Sequence, residues 1–205
     1  MLHAMGTLTL GGSPAFNLVP IAADGPMSDA LEYARNQLAA CTNYQKFLNV
    51  SSSESAATKT FLAALPTPAD GKEYTPEEWE MALRPFGMIY TASAAGYGLK
   101  RSAFQAYSEH GRMYIELEAT IPNVYQPNPE ADPIDLTADL EAADRWIINQ
   151  IGKIIDEFIK LSGQPGYLNV ASVMVMMGPS REQPEETLAK GFYYWTLLEV
   201  IWGVD

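Results

Sequence analysis

A chain of 205 residues, 47% hydrophobic and 19% charged, has apolar content for one sizeable core and no need of a second. Its 13 Lys and Arg against 25 Asp and Glu give a formal net charge of -12, which argues against a protein that grips nucleic acid by neutralising phosphates. The single cysteine, Cys41, leaves no intrachain disulfide or Cys-rich zinc site to build and suits a reducing compartment.

Residues 1–26 carry one charged side chain, Asp24, and are broken by Gly6, Gly11, Gly12, Pro14, Pro20, Gly25 and Pro26. No Lys or Arg precedes the apolar part, and Gly11-Gly12 cuts it short, so it does not read as a signal peptide or address the chain to a membrane. Leu2, Leu8, Leu10, Phe16, Leu18, Val19 and Ile21 make it too apolar for a disordered tail. It reads as an extended N-terminal arm, with Thr7 to Leu10 strand-like, docked either on its own domain or on a neighbouring subunit. A cloning or start-site extension is the plainer alternative. Residues 27–205 read as a single domain.

Ser28 and Asp29 open a helix that Leu31, Ala34, Leu38 and Cys41 continue to about Thr42. A second helix is predicted from about Glu54, after the Ser51-Ser52-Ser53 cluster, to Leu65, with Pro66 ending it. Thr75-Pro76-Glu77-Glu78 is a capping box with proline in the first turn, and a short helix follows to Leu83 before Pro85.

Phe86 to Ser93 reads as a strand, Ala94 to Gly98 as a turn or loop, and Leu99 to Tyr107 as a weaker strand. After a turn at Glu109-His110-Gly111, Arg112 to Ile121 alternates: Met113, Ile115, Leu117 and Ala119 face a core, while Arg112, Tyr114, Glu116 and Glu118 form a wet face. The proline-rich stretch 122–133 reads as a loop.

The longest helix is predicted from Thr137 or Ala138 to Leu161, with Leu140, Ala143, Ile147, Ile151, Ile154, Phe158 and Leu161 in one stripe that Ile148, Ile155 and Ile159 widen. Ser162-Gly163 ends it. Leu168 to Met177 reads as a strand, Gly178-Pro179 to Leu188 as a polar hairpin loop, and Phe192 to Trp202 as the closing strand. That last strand is apolar on both sides, with Tyr193, Trp195, Leu197 and Ile201 opposite Tyr194, Thr196, Leu198, Val200 and Trp202. The expected fold is α+β: a mainly antiparallel sheet with one long helix packed across a face, short N-terminal helices and the arm.

Signals for chemistry are weak. His3 and His110 lack neighbours at metal-ligand spacing, and Glu109-His110 fits a hairpin connection better than an oriented base. Glu130, Asp132, Asp135 and Asp139 lack the central glycine and closing glutamate of a calcium loop. Cys41, beside Leu38 on an inward helix face, reads as a buried, inert thiol. Met174, Met176 and Met177 with Val173 and Val175 read as core filling, with a Met-lined adaptable surface as the alternative. Tyr193, Trp195 and Trp202 have only Lys190 nearby, so packing suits them better than base stacking. No residue is assigned as catalytic, metal-binding or cofactor-binding.

The order of elements, with the run Tyr44-Gln45-Lys46-Phe47-Leu48-Asn49-Val50 between two N-terminal helices, resembles the tail-terminator and related neck proteins of long-tailed bacteriophages over about Ser28 to Asp205. The resemblance implies a non-catalytic structural protein of the virion, made in the host cytoplasm. It would form a homohexameric ring at the head-tail junction that caps the tail tube and docks to the head connector, with DNA passing through its lumen. A net charge of -12 suits a lumen that DNA must cross without sticking. Leu8, Leu10, Phe16 and Leu18 of the arm and Tyr193, Trp195, Leu197 and Ile201 of the last strand are the expected subunit interface, because a single long helix covers only one face of the sheet. Alternatives are a head-completion or connector neck protein, a cellular scaffold or secretion-system protein of the same design, and a ligand-binding or enzymatic α+β domain with a pocket near Arg145, Glu116 or His110.

Overall fold

The computed structural model of the chain describes residues 7–8, 16–17, 26–91, 98–101, 107–120, 136–182 and 193–204. Helices and a mixed sheet make up an α+β fold. Its strands are β1 (Thr7–Leu8), β2 (Phe16–Asn17), β3 (Thr60–Leu62), β4 (Thr67–Pro68), β5 (Phe86–Thr91), β6 (Gly98–Arg101), β7 (Tyr107–Thr120), β8 (Asn169–Glu182) and β9 (Tyr193–Val204). The helices are α1 (Pro26–Ala40), α2 (Thr42–Phe47), α3 (Ser53–Thr58), α4 (Pro76–Leu83) and α5 (Leu136–Lys160).

The principal sheet has the order β3-β5-β7-β9-β8, with β6 also paired to β7. It is mixed rather than the mainly antiparallel sheet expected, because β3 runs parallel to β5. That strand was hidden inside the helix predicted to run to Leu65. The helix stops at Thr58, where Lys59 caps it, and the β-branched and aromatic Thr60-Phe61-Leu62 then extend beside β5 with all three side chains buried.

Three further boundaries differ from the sequence reading. The first helix ends at Ala40, because Cys41 takes an extended conformation with φ -68° and ψ 118°, and α2 restarts the helix at Thr42. The segment Glu109-His110-Gly111 is no turn: β7 continues through it, paired to β9 from Glu109 opposite Val204 to Thr120 opposite Tyr193. Gly111 serves packing there, since a Cβ would stand 2.6 Å from the Trp202 indole. Likewise β8 continues through Gly178-Pro179 to Glu182, with register shifts beside Val175 and Met177 that let a proline sit in a border strand. The expected loops at 94–97, 122–133 and 183–188 and the strand residues 102–106 lie outside the described residues.

One side of the sheet carries the main core. Ile89 of β5, Met113, Ile115, Leu117 and Ala119 of β7, and Tyr194, Leu198, Val200 and Trp202 of β9 are buried in one cluster with Leu38 of α1, Tyr44 and Phe47 of α2, and Ile147, Ile151, Ile154 and Phe158 of α5. Buried polar groups hold these layers in place. Gln37 of α1 donates from Nε2 to the Phe158 carbonyl at 2.6 Å and accepts from the Leu168 amide at 2.8 Å, tying α1 to the end of α5 and the approach to β8. Cys41 offers no side-chain cap to α2, and Glu157 of α5 supplies one instead, accepting from the Asn43 amide at 2.8 Å and from Asn43 Nδ2 at 2.6 Å. At the start of α4 the capping box forms as read, with the Thr75 amide donating to Glu78 Oε2 and the Glu78 amide to Thr75 Oγ1.

A second, smaller core lies on the opposite side, at the β3–β5 end only. It consists of Phe16, Phe61, Trp79, Leu83 and Phe86. Phe16 of the arm stands edge-on to Phe61 at 5.5 Å, and β2 pairs with β4 while β1 pairs with β2. The described pieces of the arm therefore dock on their own domain.

Candidate assembly surface

Strand alternation decides what the second side of the sheet presents. Because Met113, Ile115 and Leu117 point into the main core, Arg112, Tyr114, Glu116 and Glu118 point the other way, and the register carries this across the neighbouring strands. Three rows result: Phe86-Glu118-Trp195, Met88-Glu116-Leu197 and Tyr90-Tyr114-Glu199. Met177 extends the second row and Met174 the third onto β8, while Ile201 lies opposite Arg112.

The first row begins under the small core. Arg84, the C-cap of α4, is buried there and donates from Nε to Glu118 at 2.5 Å, with Glu80 3.7 Å away. Glu118 is buried rather than wet, since Arg84 reaches over it from the end of α4. Burial pushes its carboxyl up to about 7, against the pull of Arg84 and with help from Glu116 and Glu80. Glu116, half-buried, is also raised, first by burial and then by Glu80. Farther along, Glu199 is buried under an ion pair with Arg112 at 3.2 Å, beside the Tyr90–Tyr114 ring pair at 5.7 Å.

Cover thins toward β8. Trp195, Leu197 and Ile201 are half-buried, and β8 itself exposes Met174 (52%), Val175, Met176 and Met177 (53%). Core filling, expected for Val173 to Met177, holds for Val173, which packs against the main core, and fails for Met174 to Met177, which lie exposed on the border strand. The sequence carries one feature of this run, the absence of any charged residue from Asn169 to Ser180, but that feature does not tell a buried strand from an exposed one.

The expected interface residues thus separate. Trp195, Leu197 and Ile201 share the thinly covered side of the sheet with Met174 and Met177. Phe16 is 1% exposed, packed inside its own chain, and so leaves the subunit interface. Leu8 pairs with Phe16 in the arm ladder, and Tyr193 pairs with Thr120 and Glu182; their side chains, like Leu10 and Leu18, lie outside the described residues. Of the groups that would mark a pocket, Arg145 is exposed on α5 and bonded to Glu141, whereas Glu116 points to the far side of the sheet. His110 pairs with Gly98 and Gly203 in the ladder, its side chain outside the described residues.

Cys41 is buried, its thiol donating to the Gln37 carbonyl at 3.3 Å, and burial, with Glu157 nearby, pushes its pKa up to about 12. Among the described residues no group of three or more His, Cys, Asp or Glu side chains is placed to hold a metal ion, and no helix is long and apolar enough to cross a membrane. What this surface offers is apolar area, an open strand border and paired charges, which suits association with protein. No family model matches the chain, and no curated protein matches it significantly.

Proposed function

We propose that this chain is a structural subunit of the head-tail junction of a long-tailed bacteriophage. In this reading it is a tail terminator whose copies form a ring, a hexamer as the resemblance implies, that caps the tail tube and docks to the head connector. The long helix α5 laid across one face of the sheet is the design that the resemblance implies. The observation that carries the reading is the apolar run Met174 to Met177, exposed on a chain of net charge -12. A strongly acidic protein stays dispersed unless a neutral apolar surface brings copies together, and this chain has such a surface at the border of its sheet. The acidic balance also suits a ring through which DNA slides unbound. A head-completion or connector protein would use the same kind of surface, and its place at the tube end or on the connector separates the two.

The test is to purify the full chain, measure its mass, and image it with and without tail tubes of the same phage. Rings of six copies seated on tube ends are the expected result. A chain that stays monomeric and leaves the tubes uncapped would sink the proposal.

A further inference from the structure

β9 occupies one side of β8, and no described strand occupies the other, so β8 borders the sheet with a row of backbone donors and acceptors facing outward. Val175 pairs with Leu198 and Met174 with Glu199, which places their side chains on opposite sides of the sheet. Both are exposed nonetheless. A partner laid on either face would cover one of them, whereas a strand added alongside contacts both.

Border strands are ordinarily protected by charge, bulges or proline. Here the protections flank a short regular run: a register shift lies between Val170 and Ser172, the ladder is regular from Ser172 to Val175, further shifts and Pro179 follow, and the nearest charge toward the C-terminus is Arg181. The missing charge also points to the occupant. Two copies of net charge -12 repel across a Debye length of about 8 Å at physiological salt. Contact through Asn169 to Ser180, which bears no charge, brings no carboxylate of this strand to the seam. A basic partner would find nothing there to attract it.

We infer that β8 is the seam between copies of this chain, where a strand of a neighbouring copy pairs along Ser172 to Met177 and continues the sheet across the subunit boundary. The choice of a second copy rests on the ring reading; the open border does not.

The full chain is compared with Val175→Lys and Met176→Glu by sedimentation velocity, thermal denaturation and amide hydrogen exchange. Ile148→Lys, on the 57%-exposed outer face of α5, serves as control. The expected outcome is an oligomer whose dissociation constant rises at least tenfold in both β8 variants, with mass falling toward 22.5 kDa, while the control assembles normally. In the unaltered chain the amides of residues 172–177 should exchange more slowly at high than at low concentration, a readout that needs no variant. Equal exchange at both concentrations, or β8 variants that assemble like the unaltered chain, overturns the inference. Rings that survive Val175→Lys would spare the ring reading and remove this seam. Open or twofold oligomers sealed at β8 would keep the seam and remove the ring.

Discussion

The Tyr44 hydroxyl lies 2.2 Å from the point where a Cβ on Gly87 would stand, so α2 and β5 meet in a space that only glycine leaves open. The same hydroxyl bonds to Thr60 Oγ1 at 2.8 Å, so one side chain sets the approach of α2 to both β3 and β5.

Gly87→Ala should therefore destabilise the fold by about 2 kcal/mol through overpacking. Tyr44→Phe removes the hydroxyl and leaves its ring carbon 3.2 Å from the same point. In that background Gly87→Ala should cost measurably less, and a double-mutant cycle in urea reads the coupling. Additive effects would show that the contact does not limit the packing.

Glu118 makes stability depend on pH in a direction opposite to most paired carboxylates. Its folded pKa, about 7, exceeds the ordinary value of 4.5, so between these pH values the folded chain holds the proton more tightly than the unfolded one. Glu118's contribution is most favourable below pH 4.5 and is lost as pH rises through 7. Glu118→Gln should flatten that decline, by up to about 3 kcal/mol, in denaturant titrations between the two limits. An unchanged pH profile in the variant would contradict it.

Phe16→Ala should cost about 3 to 5 kcal/mol, because it empties a site packed against Phe61 inside the chain's own small core. Deleting residues 1–26, which removes Phe16 from that core, should likewise give a clear fall in melting temperature, measurable by circular dichroism.

Gln37→Leu keeps volume but leaves the Leu168 amide and the Phe158 carbonyl without their shared partner. A loss of about 3 kcal/mol is expected. Hydrogen exchange should show faster opening at the α5–β8 junction than in β7.

Cys41 should resist thiol reagents at neutral pH while the chain is folded and react fully in denaturant, since burial holds its pKa near 12. Rapid labelling of the native chain would mean that α1 opens locally far more often than its packing implies.

Much of the fold is legible in local pattern. The stripe of α5, the capping box at Thr75 and the alternation of Met113 to Ala119 each depend on residues close together in the chain, so the sequence carries them directly. So does the two-sided apolar character of β9. What depends on distant partners is not written locally. Gly111 looks like a turn until Trp202 fills the space beside it, and Thr60 to Leu62 looks like the end of a helix until β5 offers a ladder. Glu118 looks wet until Arg84 closes over it, and Cys41 breaks a helix that Glu157, far along the chain, then recaps. The sequence by itself determined which residues are apolar, and hence that a layered α+β core must form. Only the tertiary structure decided which of them are left over, because helices cover one side of the sheet, the small core covers a corner of the other, and Met174 to Met177 fall beyond both.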